Sequence, residues 1–364
     1  MGADLTPLNE EMVTMSKRIS AALVALAACS LTLTANIGPA QAGATTTTAK
    51  TATTATTGLY GAGDPTYDGV FRQSLAILGL VANDVKPNKA AITWLLKQQC
   101  ANGSFQAYRP DTTKACDVSD PVNYTGPDTN STALALTALS AANQSASAGS
   151  AAAWLAKQQN KDGGWPWFSG SPSDSSSTGL ALAAVKALKP SGSGPAIVKA
   201  GKYLTSVKLS CASGGGLAFQ KPGAANAQST AQAFTGLTAG LVVSGAKTLN
   251  ANPTCGATTA SNAGSYLANA ITKDGALPNS FGAGSDFSST AFSILGFVAS
   301  ATGKQAVTRG TSTLAANASA YGVPDGEASP GALGLLLMVS KATNTKATNF
   351  GGVNLITTLQ QSQQ

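Results

Sequence analysis

The stretch Trp154–Phe168, WLAKQQNKDGGWPWF, holds three of the four tryptophans, a Gln-Gln pair and two adjacent glycines. It reads either as an aromatic ligand box or as one copy of a structural repeat. A near-copy, WLLKQQCANGSF, begins at Trp94. Looser counterparts keep Tyr203 and Tyr266 ahead of the glycine signals SGGGLAF and KDGAL. Repetition makes the stretch an amphipathic helix with Lys and Gln on one face, followed by a turn whose glycines supply positive φ. Only WPWF, Trp165–Phe168, is richer in aromatics than the repeat requires.

A second helix type alternates with the first. NSTALALTALSAA (Asn130–Ala142), SSTGLALAAVKAL (Ser176–Leu188), QSTAQAFTGLTAGL (Gln228–Leu241) and SSTAFSILGFVAS (Ser288–Ser300) each open on a Ser-Thr pair. RQSLAILGLVA (Arg72–Ala82) and SPGALGLLLMVS (Ser329–Ser340) are less regular copies, which brings the set to six. These helices are apolar or small nearly all round, the pattern of helices covered on both sides. The amphipathic set is completed by a poorer copy within Lys304–Ala320 and by the terminal GVNLITTLQQSQQ. Six buried helices enclosed by six half-exposed ones predict an all-α (α/α)6 toroid spanning 59–364. An open helical solenoid is the alternative.

The chain has 364 residues, a formal charge of +7 and no histidine. Lys17 and Arg18, an apolar run and the small-residue site Ala40–Ala42 read as a secretory signal over 1–42; Met15 offers a second start. A Thr/Ala tract over 43–58 reads as a flexible leader. The chain is therefore expected to be secreted or associated with the cell envelope, with no membrane span after cleavage. Four cysteines remain, and their loop-flanking positions favour Cys100–Cys116 and Cys211–Cys255 disulfides over zinc ligation, so no metal is expected. Scattered lysines without a basic run argue against a nucleic-acid partner.

The motifs WLLKQQCANGSF and WLAKQQNKDGGWPWF resemble the Gln-Trp repeat of the prenyltransferase/squalene-cyclase superfamily. PDTNSTALALTAL, DSSSTGLALAAVKAL and STAQAFTGL resemble the inner-helix starts of the helical domain of the cobalamin carriers, intrinsic factor and transcobalamin. That resemblance implies a ligand held by polar groups at inner-helix starts. Asp128 matches the aspartate of an Asp-Thr pair, Asp174 stands where the carriers have asparagine, and Gln232 matches the glutamine of an Ala-Gln pair. Thr129, Gln228 and Asp286 extend the expected mouth, and Trp165 and Trp167 could stack on a flat ligand. The carriers close over their ligand with a small β domain, so a separate partner chain is expected to supply any lid.

Catalytic sets are thin. Without histidine, Ser-His-Asp, Cys-His and HExxH chemistry are excluded. The Asp-rich pairs Asp64/Asp68 and Asp117/Asp120 do not reproduce the clustered acid motif of squalene-type cyclases. Asp68, Asp128, Asp174, Asp286 and Glu327 precede inner helices, where they either cap exposed N–H groups or converge as rim acids. The expected function is a secreted, non-catalytic protein binding a bulky small molecule, such as a corrinoid, in a central cavity, with no resident cofactor. A terpenoid-cyclase-like or carbohydrate-active toroid is one alternative. A cell-envelope interaction protein whose cavity is packed shut is the other.

Overall fold

A computed structural model describes residues 57–280 and 282–364, so the signal and nearly all of the expected leader lie outside the described residues. The fold is all-α. Buried helices α1 (Gly69–Ala82), α3 (Thr129–Ala141), α5 (Ser175–Leu188), α7 (Ala227–Thr238), α9 (Phe287–Ala299) and α12 (Pro330–Thr343) form one set. They alternate with α2 (Lys89–Gln98), α4 (Ser145–Gln158), α6 (Gly194–Ser206), α8 (Thr259–Asp274), α10 (Lys304–Ala316) and α13 (Leu355–Gln361). The poorer copy within 304–320 is broken at Asn317, giving α10 and a short α11 (Ala318–Gly322). Two minimal antiparallel pairs, Trp165–Pro166 with Ser173–Asp174 and Leu277–Pro278 with Ser285–Asp286, join outer to inner helices.

Each inner helix packs on the next, in the order α1, α3, α5, α7, α9, α12, and α12 returns to α1. The inner helices run parallel. Ser176 on α5 meets Ser229 on α7 near their starts at 3.0 Å. At the other end, Lys186 donates to the Leu237 carbonyl at 2.6 Å, and Asn83, just past α1, donates to the Leu337 carbonyl of α12 at 2.8 Å. Small residues permit this closeness. A Cβ on Gly79 would lie 2.6 Å from the Gly334 carbonyl oxygen, and Gly179 and Gly236 abut each other's helices in the same way.

The segment Gly58–Gly61 pairs with the C-terminal residues. Gly58 N–H donates to the Gln364 carbonyl at 2.7 Å, Gln364 N–H to the Leu59 carbonyl at 2.9 Å and Gly61 N–H to the Ser362 carbonyl at 2.8 Å. Leu59 and Tyr60 are buried in this strap. Gln73 of α1 clamps it, accepting from Tyr60 N–H at 2.9 Å and donating to the carbonyls of Gly58 and Ala91.

Both expected disulfides are formed, Cys100–Cys116 and Cys211–Cys255, and both fit an oxidising compartment. Among the described residues, no helix is long and apolar enough to cross a membrane.

Candidate functional site

The Ser-Thr repeat is a hydrogen-bonding device built around the start of each inner helix. Asp128, Asp174, Asn226 and Asp286 are N-caps, accepting from the backbone N–H of Ser131, Ser177, Ser229 and Ser289 at 2.7 to 2.8 Å. The threonine that follows each serine reaches back to the preceding glycine turn. Thr132, Thr178, Thr230 and Thr290 accept the N–H of Phe105, Trp165, Leu217 and Leu277 at 2.8 to 2.9 Å. The Gln pair acts on the outer layer. Gln99 donates to the carbonyls of Gly103 and Ser147, and Gln159 to those of Gly163 and Ala196, tying each turn to the next outer helix.

Three of the expected ligand groups therefore already hold helix ends. Asn226, which sequence reading did not single out, holds the fourth end with an amide in place of a carboxylate. Its signal was the position three residues before Ser229-Thr230. Asp68 departs from this pattern: it makes no side-chain cap and instead pairs with Arg72 at 3.1 Å. Glu327 lies exposed beyond the start of α12.

Trp165 is fully buried, and its indole N–H donates to the Leu155 carbonyl at 2.8 Å. No face of its ring is open to a ligand, so the expected stacking role does not fit it; the indole packs between the layers instead. Trp167 is different. It is half-buried and packs at a tilt against Phe168 and Tyr124, with ring centroids 5.0 and 5.5 Å away. Tyr124 occupies the left-handed region at φ 56°, unusual for a non-glycine residue, on the loop leading into α3.

Asp128, Thr129, Trp167 and Asp174 come together. Thr129 N–H donates to the Trp167 carbonyl at 2.8 Å. The Trp167 side chain lies close enough to the Asp128 carboxylate, and its backbone to that of Asp174, to favour their ionised forms. Burial pushes the Asp128 carboxyl up to about 6, against the pull of Ser131, Asn130 and Trp167. The same desolvation pushes Asp174 up to about 7, opposed by Ser177, Ser176 and Trp167. Burial also raises Asp286, the N-cap of α9, two buried helices further round the cycle from α5. Gln232 is buried one turn into α7, and Gln228 is half-buried at its start.

Ser175 through Val185 of α5 are buried without a break, as are Ser289 through Val298 of α9, so both helices are covered on all sides along these spans. Two pockets lie elsewhere. A shallow groove of about 500 Å³ runs between α6 and α8, and a smaller pocket of about 250 Å³ lies over the far ends of α7, α9 and α12. Neither reaches Asp128, Asp174 or Trp167.

No family model and no curated protein sequence matches the chain. Among solved structures, that of a protein from Actinoplanes is similar to it. The two share 17% identity with a TM-score of 0.51, over 80% of this chain and 79% of that one. At that identity the likeness speaks to the fold alone.

Replacing the caps separates structure from chemistry. Asp128→Asn and Asp174→Asn are expected to match the parent's stability at about pH 4 and to exceed it at about pH 8, because Asn226 already caps in the same geometry without a charge to bury, whereas the alanine variants lose about 1–2 kcal/mol each at low pH. The raised carboxyls bind protons more tightly when folded. Their contribution is thus full below the unfolded value of about 4 and is lost as pH rises through about 6 and about 7. Urea titrations from pH 4 to 8 should show the asparagine variants flattening that decline.

Proposed function

We propose that this chain is an exported, non-catalytic recognition scaffold of (α/α)6 toroid architecture, engaging its partner at the rim around Tyr124 and Trp167. The toroid reading is supported by the return of α12 onto α1 and by the strap at Gly58–Gly61, which pairs with the residues after α13. The observation that carries the functional reading is the burial of inner-helix residues on all sides, which leaves a ligand little exposed surface along α5 or α9. Use of the rim acids as caps favours it over a carboxylate enzyme.

A bulky planar ligand such as a corrinoid is the second reading. It is favoured by the half-buried Trp167 above Asp128 and by three buried polar atoms without a hydrogen-bond partner nearby: Thr129 Oγ1, Asn130 Oδ1 and Ser177 Oγ. Titration with cobalamin, followed by tryptophan fluorescence, separates the two. The scaffold reading expects no saturable change at high micromolar ligand. Saturable quenching that Trp167→Ala abolishes would establish the corrinoid reading in its place.

A further inference from the structure

The lysines look scattered in the sequence, but the fold gathers many of them on one end. Because the inner helices run parallel, every connection from an inner to an outer helix begins at the same end. Lys86, Lys186, Lys189, Lys247, Lys341 and Lys346 all lie in those connections or in the last helical turns before them. A single acid, Asp84, shares this end, and it pairs with Lys341 at 2.7 Å. The caps Asp128, Asp174 and Asp286 all lie at the opposite end.

Part of this pattern serves the helices. Lys186 and Lys247 donate to the terminal carbonyls of Leu237 and Ala299, where a cation suits the negative end of the dipole. That accounts for neither Lys86 nor Lys346, which lie exposed beyond the helix ends; Lys189, also exposed, is the C-cap of α5. Two further lysines sit where the dipole disfavours them: Lys89 and Lys304 are the first residues of α2 and α10. No outer helix carries an acid in its first turn. An arrangement with no structural use for its charge points to an anionic partner.

We propose that this lysine-bearing end docks onto an anionic lipid bilayer. Its basic groups are spread around the end of the bundle instead of following a groove, which fits a surface better than a linear chain. Exposed Val242, in the connection that carries Lys247, adds a short apolar contact. Charge complementarity with a layer of anionic headgroups supplies the attraction, which falls off within a Debye length. The docking face is independent of the rim at Trp167, so loss of ligand binding there leaves it intact.

The test is co-sedimentation of the chain from Gly43 onward with phosphatidylcholine vesicles, with and without phosphatidylglycerol. Binding should require phosphatidylglycerol and disappear at high salt. Charge reversal of Lys86, Lys189 and Lys346 to Glu should weaken it at least about tenfold. A charge-matched reversal of Lys157, Lys199 and Lys202 on the outer helices should weaken it by much less, with circular dichroism showing both variants folded. Equal loss in the two variants would overturn the assignment of this face. Absence of binding to phosphatidylglycerol vesicles, or binding to soluble polyphosphate alone, would overturn the bilayer as partner.

Discussion

A chain truncated through Gly61 should lose most of its stability, although it keeps every helix. The strap places Leu59 and Tyr60 in the core and supplies the backbone partners of Ser362 and Gln364. Removing it deletes that packing and leaves the Gln73 amide buried without its strap partners. Tyr60→Ala alone is expected to cost about 3–5 kcal/mol, the range for a large buried side chain. Gln73→Leu should cost about 2–4 kcal/mol, because the Tyr60 N–H and the carbonyls of Gly58 and Ala91 lose their partner in one step. Urea unfolding measures both. Hydrogen exchange adds a local readout: the amides of Gly58, Gly61 and Gln364 should lose protection together. If Tyr60→Ala cost less than about 1 kcal/mol, the strap would be an ornament on a bundle already closed without it.

The second large effect is a sign reversal between two helical glycines, one on an outer helix and one on a buried helix. Alanine is the better helix former by about 1 kcal/mol, so an exposed helical glycine gains from the change. Gly149 on α4 meets this condition, since a Cβ there would touch nothing within 4 Å, and Gly149→Ala should stabilise by about 0.5–1 kcal/mol. Gly179 on α5 is the opposite case. A Cβ there would press into the backbone of α7 at Gln232 and Ala233, where no flexible side chain can yield. Gly179→Ala is therefore expected to lose about 2–4 kcal/mol, and Gly179→Val to leave little folded protein. Thermal and urea unfolding of the pair would show shifts in opposite directions.

The helices and the disulfides were legible because each rests on local signals: the Ser-Thr openings, the glycine turns and cysteines flanking single loops. What the Ser-Thr pair does was not legible. Thr178 accepts from Trp165 across a turn, a contact that exists only once the turn has folded back onto the helix. The same distance problem hid Asn226. Sequence reading followed carboxylates as candidate ligands, and the cap requires only a side-chain oxygen at that place. Trp165 and Trp167 stand two residues apart in one short motif, yet one is sealed in the core and the other half-buried. Residues two apart in an extended segment share a face, so the local pattern predicted a common fate. The difference comes from Tyr124, Asp128 and Thr129, brought to Trp167 by the neighbouring repeat. The collected lysines were hidden for a related reason: they are neighbours only across parallel helices separated by some fifty residues of chain.

The strap has a consequence for how such a chain could be cut and rejoined. Gly58–Gly61 does for the last outer helix what Gly103 and Gly163 do for the outer helices before them, each with positive φ and its backbone against the next outer helix. Gly58–Gly61 thus completes the turn of the final unit. Gln364 and Gly58 are neighbours across a seam that the chain itself does not bridge. A circularly permuted gene, joined across that seam and opened at the exposed Gly192–Gly194 connection, would encode the same set of contacts in a different order.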